Sequence, residues 1–163
     1  MEYIVYLALG SNMGNRLANL KNAVGQLARQ MNVKKESPVY ETPPWGFADQ
    51  GAFLNQVVKV GTHLKPEALL SHLKRLEASM GRVASFENGP RLIDIDILFF
   101  DDVVMDTPPL VIPHPRLHER AFVLVPLADL APDLLHPVLH KTVSKLLDNV
   151  DRSEITLFKG KLT

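Results

Sequence analysis

Two aspartates one residue apart, Asp94 and Asp96, stand in the run GPRLIDIDILFF at positions 89–100. The stretch Ile93-Asp94-Ile95-Asp96-Ile97 alternates without interruption, the pattern of a strand whose two faces differ. The isoleucines share one face and the carboxylates the other. Two ionised carboxylates held side by side repel, so the pattern calls for a positive partner over them. Hard cations such as Mg²⁺ take carboxylate oxygens. In two-metal sites the ions sit about 3.5–4 Å apart and clamp the oxygens of a displacement at phosphorus. A solvated sheet face also carries acids at alternate positions. The apolar continuation Leu98-Phe99-Phe100 and Arg91 just upstream favour an interior strand and the metal.

Basic groups bracket this pair. Arg82 and Arg91 flank a loop, and His114, Arg116, His118 and Arg120 cluster in IPHPRLHER. Phosphates need charge-assisted donors, and arginine offers a bidentate fork that lysine lacks. Any one of these arginines alone would read as a surface residue; their confinement to two short loops beside an acidic pair is the stronger signal. His114 and His118 imitate a zinc pair, but Pro115 breaks a continuous helix there and the chain has no cysteine. His136 and His140 in HPVLH read as surface histidines. The loop GSNMGN is not GxxxxGK[ST], so it reads as a tight strand-to-helix turn, not a phosphate loop. Phe53 beside Asn55, Phe122 beyond Arg120, and Trp45 supply an aromatic slot, where two ring faces could sandwich a planar heterocycle while an amide reads its edge.

These residues need elements to hold them. Tyr3 to Leu9 reads as a strand ended by Gly10. Leu17, Leu20, Val24, Leu27 and Met31 follow helical spacing, with Asn12 or Asn15 as cap. Lys34 to Thr42 reads as extended, Pro43-Pro44-Trp45-Gly46 as a loop, and Phe53 to Thr62 as a second extended stretch. Pro66 suits a helix start, Leu69, Leu73, Leu76 and Met80 form its apolar stripe, and Gly81 closes it. After the aspartate strand, Pro108, Pro109, Pro113 and Pro115 enforce extended or turning chain. Ala121–Leu130 and Thr142–Val150 read as short helices. The order strand, helix, strand, strand, helix, strand predicts a mainly antiparallel sheet covered by helices, the ferredoxin-like α+β arrangement.

Bulk properties narrow the class. The 163 residues suit one domain, with 46% apolar and 22% charged residues. Eighteen basic residues balance eighteen acidic ones, so no global field advertises nucleic acid or an acidic membrane. The absence of cysteine removes disulfides and thiolate chemistry. The opening YIVYLALG has no positive leader and is too short for a membrane span, so a cytoplasmic protein is expected.

An acidic pair, a basic shell and an aromatic slot without a phosphate loop suggest phosphoryl-type transfer onto a flat heterocycle. At this point LGSN at 9–12, SPVYETPPWG at 37–46, FLNQVV at 53–58, GR at 81–82, GPRLIDIDIL at 89–98 and PHPRLHERAFVLVPL at 113–127 occur together. In this order they resemble the 6-hydroxymethyl-7,8-dihydropterin pyrophosphokinases of folate biosynthesis, from the first strand to about Pro132. The resemblance implies transfer of the pyrophosphoryl group of ATP to a pterin hydroxymethyl oxygen, with release of AMP. It implies that Asp94 and Asp96 hold two Mg²⁺ and that Arg82 and Arg91 add charge near the transferred group. His114 and Arg120 would contact ATP phosphates, and Leu70, Glu77 and Ile97 the adenine side. Phe53 and Phe122 would sandwich the pterin, read by Asn55, Thr42, Pro44 and Gly46. No general base stands out, Asp96 being one candidate. The resemblance implies a loop GRVASFENGPR that is shortened and less basic than in many members, with Ala84 and Asn88 where basic residues are frequent, which predicts a weaker grip on phosphate. Residues 133–163 fall outside the match and read as a helix and a strand. Two rivals stay open: an RNA-binding ferredoxin-like sheet, against which the acidic pair and balanced charge speak, and a metal-dependent phosphohydrolase, which needs no aromatic slot.

Overall fold

The computed structural model describes residues 1–43, 51–81 and 92–160. Arg82, Arg91, Pro44, Gly46, Ala84, Asn88 and Trp45, all singled out above, lie outside the described residues.

The aspartate strand β5 (Asp94–Phe100) pairs antiparallel with β1 (Tyr3–Ser11), which pairs antiparallel with β4 (Phe53–Thr62). On the far side of β4 lie β2 (Asn32–Glu36) and β3 (Tyr40–Thr42), both antiparallel to it. Helix α1 (Arg16–Gln30) connects β1 to β2, and α2 (Pro66–Ser79) connects β4 to β5. This is the expected antiparallel α+β sheet, with the stretch between α1 and the proline loop divided in two. Lys34–Thr42 is not one strand: β2 begins at Asn32 and the chain breaks at Ser37-Pro38. Pro38 has no N–H for a ladder. Ser37 takes over the pairing, its N–H donating to the Val57 carbonyl and its Oγ accepting from Val57 N–H, both at 2.9 Å.

Each sheet face has its own core. Val5, Leu7, Leu9, Ile95 and Ile97 pack with Leu20, Leu27, Leu69, Leu73 and Leu76 of α1 and α2. Tyr6, Val57, Leu98 and Phe99 pack against α3 (Ala121–Leu130) and α4 (Val143–Leu147). Ile93, Ile95 and Ile97 are almost fully buried, each contributing up to roughly 2–3 kcal/mol. That burial anchors β5 firmly enough to hold two carboxylates on its opposite face.

Local signals place the helices. The Asn15 side chain caps α1 by accepting from Ala18 N–H at 3.1 Å. Gly81, at φ +89°, ends α2 in the left-handed region that favours glycine. Pro66 starts α2 as expected. Helix α4 is shorter than the predicted Thr142–Val150, with Thr142 as its cap: the side chain accepts from Lys145 N–H. The proline-rich stretch before His114 folds into a hairpin of β6 (Met105–Thr107) and β7 (Leu110–Ile112). Near the C-terminus β8 (Thr156–Leu157) adds to the sheet along β3. His136 departs from its surface reading. It is 4% exposed, edge-on to Phe99, and its Nδ1 accepts from the Val138 and Leu139 amides. No helix among the described residues is long and apolar enough to cross a membrane.

Candidate active site

Antiparallel pairing places directly opposed residues on the same face. Asp94 opposes Gly10, Gly10 opposes Asn55, and Asn55 opposes Tyr40, one row across four strands. The next row is Asp96, Ala8 and Val57. The two β1 residues that oppose the carboxylates, Gly10 and Ala8, are thus the smallest available. They form the floor of a cavity of about 160 Å³ at this end of the sheet. A Cβ on Gly10 would stand 3.3 Å from Asn55 Nδ2 and 3.6 Å from the Phe53 ring. Gly10 does not end β1, as expected from sequence; it lies within the pairing and clears the floor.

The cavity brings together Asp94, Asp96, His114, Arg120, Phe53, Phe122, Asn55 and Thr42. β5 supplies the carboxylates, β3 and β4 the hydroxyl, amide and one ring, and α3 the second ring. Thr42 Oγ1 donates to Asn55 Oδ1 at 2.7 Å, with both residues buried. That bond fixes which way the amide is turned and leaves Nδ2 as the donor beside Gly10. Tyr40, one position from Glu41 on the same strand, donates its hydroxyl to Asp129 of α3 and so ties β3 to the helix that carries Phe122. Burial, with help from that carboxylate, pushes the Tyr40 phenol up to about 12.

His114 is docked on β5 by its backbone N–H, which donates to the Leu98 carbonyl at 3.0 Å. Its Nδ1 accepts from the Arg116 amide at 3.2 Å, so the neutral ring carries its proton on Nε2. Burial, then the positive fields of Arg120 and Arg116, pull its pKa down to about 4, against the opposing field of Asp94. Arg120 immediately precedes α3, its guanidinium 5.6 Å from the Phe122 ring centre. Burial lowers its pKa from the ordinary value, with Asp96 pulling the other way. Its Nε is buried without a hydrogen-bond partner among the described residues. A buried guanidinium donor beside two carboxylates suits a phosphate oxygen. Arg116 and His118, from the same cluster, turn out of the cavity: Arg116 Nε pairs with Glu119 Oε2 at 3.3 Å.

Leu70, Glu77 and Ile97 are not brought to this cavity. Ile97 is core, Leu70 packs against the same core, and buried Glu77 accepts from the Ile95 amide at 2.8 Å. They sit where α2 packs on β5, which is an edge strand of the sheet and not the interior strand that its apolar run predicts; α2 and the core on one side and α3 on the other account for that apolar character. Among the described residues no three His, Cys, Asp or Glu side chains form a metal cluster. The hard oxygen donors of Asp94 and Asp96, on one face and lining one cavity, nonetheless fit Mg²⁺. Ala8, Gly10, Pro43 and Val123 also line the cavity and were missed in the sequence. A readable signal existed for two of them, small residues at period two in YIVYLALG.

The family model described as 7,8-dihydro-6-hydroxymethylpterin-pyrophosphokinase matches residues 6–132. The chain is 43% identical to the 2-amino-4-hydroxy-6-hydroxymethyldihydropteridine pyrophosphokinase of Aquifex aeolicus, covering 86% of this chain and 88% of that protein. It is 45% identical to the folic acid synthesis protein FOL1 of Dictyostelium discoideum, covering 90% of this chain but only 22% of that much longer protein. Among solved structures, a wild-type Plasmodium falciparum HPPK-DHPS with pterin and p-hydroxybenzoate matches with a TM-score of 0.76. At 19% identity over 91% of this chain and 42% of that one, this likeness shows the shared fold.

Proposed function

Since the chain belongs to the 7,8-dihydro-6-hydroxymethylpterin-pyrophosphokinase family, we propose that its cavity moves the β,γ-pyrophosphoryl group of ATP onto the hydroxymethyl oxygen of 6-hydroxymethyl-7,8-dihydropterin. The pterin oxygen forms a bond to Pβ, the bond from Pβ to the bridging α,β oxygen breaks, and AMP leaves. The hydroxyl proton is released. The observation that carries this reading is that one cavity joins an acidic and basic end to an aromatic, amide-lined end. A phosphohydrolase has no use for the second half, and an RNA-binding sheet has none for the first.

The roles proposed for the cavity residues are supported by their place in it, and those of the other residues by the family resemblance. Phe53 and Phe122 sandwich the pterin ring, and Asn55, turned by Thr42, donates to its edge. The family resemblance adds Pro44 and Gly46 to the residues that read this edge. Arg120 and His114 donate to phosphate oxygens, His114 through Nε2–H. The family resemblance assigns Arg82 and Arg91 charge near the transferred group, and Leu70, Glu77 and Ile97 the adenine side. Asp94 and Asp96 would hold two Mg²⁺, which would neutralise triphosphate charge. Catalysis here is alignment and neutralisation, because the transition state spreads negative charge over oxygens that fixed donors meet. A cytoplasmic setting, where ATP is available, belongs to the same proposal, as does the action of residues 1–163 as one unit.

Product analysis tests the reaction type. After incubation with magnesium-ATP and the pterin, mass spectrometry should find the pterin diphosphate and AMP in equal amounts. A pterin monophosphate with ADP would replace the proposal with ordinary kinase chemistry.

A further inference from the structure

Arg16 lies behind the pterin wall, on the opposite face of the sheet. It is the first residue of α1, and its Nη1 donates to Glu41 Oε2 at 2.7 Å and to the Ala52 carbonyl at 2.9 Å. Its guanidinium carbon stands 5.7 Å from the centre of the Phe158 ring. Phe158 is placed there by β8: Thr156 opposes Glu41, Leu157 opposes Tyr40, and the Phe158 N–H donates to the Val39 carbonyl at 2.9 Å. One guanidinium thus joins the start of α1, the middle of β3, the residue before β4 and the C-terminal segment.

The location gives this junction its meaning. Thr42 opposite Phe53 is the last pair of the β3–β4 ladder, and the ends of ladders open first. Those two residues, with Asn55, are the ones read above as orienting and stacking the pterin. Glu41 is the neighbour of Thr42 and Ala52 the neighbour of Phe53, so Arg16 grips both chains one residue behind the wall. A wholly exposed ion pair would contribute little. Here the Arg16 side chain is 26% exposed, a backbone carbonyl shares the same nitrogen, and an aromatic ring covers the group.

We propose that Arg16 is a positioning residue for the pterin, acting through Glu41 and Ala52, with Phe158 of the C-terminal segment as its cover. The inference rests on reading the cavity as the pterin site. It gives residues 133–163 a part in substrate binding that the sequence did not reveal.

Steady-state KM for pterin and for magnesium-ATP, kcat, and pterin Kd from calorimetry should be measured for Arg16→Met, Arg16→Lys and Phe158→Ala. A displacement of the wall by a fraction of an ångström should raise the pterin KM of Arg16→Met about tenfold, with the ATP KM held within about twofold. Arg16→Lys should recover part of the loss, and Phe158→Ala should shift the pterin KM in the same direction by less. A purely structural role would lower the active fraction, and so kcat, without separating the two KM values. Unchanged pterin KM in Arg16→Met, or equal rises in both KM values, overturns the inference. Should Arg16→Met fail to fold, wild-type pterin KM in both Arg16→Lys and Phe158→Ala overturns it. Wild-type protein that forms no AMP with pterin defeats the reaction assignment instead, and pterin Kd across the same variants still decides the role of Arg16.

Discussion

Thr42 Oγ1 donates a 2.7 Å hydrogen bond to Asn55 Oδ1 between two buried side chains, and that bond turns the Asn55 amide. The recognising donor is therefore set by a residue on a different strand. Thr42→Val keeps the shape and removes the donor. Leaving a buried carbonyl oxygen unpaired costs about 1–3 kcal/mol and lets the amide flip. The pterin KM should rise on the order of tenfold, while the ATP KM stays at the wild-type value. Initial-rate kinetics with each substrate varied in turn check this, and equal effects on both would contradict it.

Gly10 supplies the complementary test. Its backbone angles do not demand glycine; what does is the space over it, where a Cβ would approach Asn55 Nδ2 to 3.3 Å. Gly10→Ala should leave the sheet folded and weaken pterin binding several-fold or more, as read by calorimetry. Unchanged pterin affinity would mean that the floor has room to spare.

The buried imidazole of His114 predicts a pH dependence. Its pKa is depressed to about 4 from an ordinary 6.5, first by burial and then by Arg120 and Arg116. Between those values the unfolded chain binds the proton that the folded one refuses. Stability therefore rises with pH across that window, is fully present above 6.5, and is lost as pH falls toward 4. His72 and His136, also depressed by burial, add to the same slope. Urea unfolding of magnesium-free protein at stepped pH should show a shallower loss for His114→Gln than for wild type below pH 6.5. Parallel curves would show that His114 is not the titrating group.

Asp94 and Asp96 should be the carboxylates through which magnesium-ATP stabilises the protein. Asn at both positions removes the mutual repulsion together with the attraction of Asp96 and Asp94 for the buried Arg120, so the two changes oppose each other in the magnesium-free protein. The rise in Tm on adding magnesium-ATP should disappear. Chelation of magnesium should abolish turnover of the wild type. An undiminished magnesium-ATP shift in the double variant would place the metal elsewhere.

Much of this site was legible because its signals are local. Alternation around Asp94 and Asp96 announced both the strand and its two faces, and Pro66 and Gly81 bounded α2. What stayed hidden depends on pairing between distant segments. Ala8 and Gly10 look like weak points of a strand until register sets Ala8 between Asp96 and Val57 and Gly10 between Asp94 and Asn55. Arg16 and Glu41 are 25 residues apart and meet only because α1 starts beside β3. His136 looked like a surface residue because nothing nearby in sequence reveals Phe99, which packs on its ring. The division of Lys34–Thr42 turns on one proline, Pro38, whose missing N–H ends the ladder.

The central claim is that one cavity joins a metal-held triphosphate to a stacked pterin. Its most direct test is AMP release from magnesium-ATP with and without 6-hydroxymethyl-7,8-dihydropterin, for wild type and for Asp94→Asn/Asp96→Asn. The account predicts AMP only when pterin is present, and its loss in the double variant while pterin is still bound. AMP or ADP appearing without pterin, or full turnover without the two carboxylates, would contradict it.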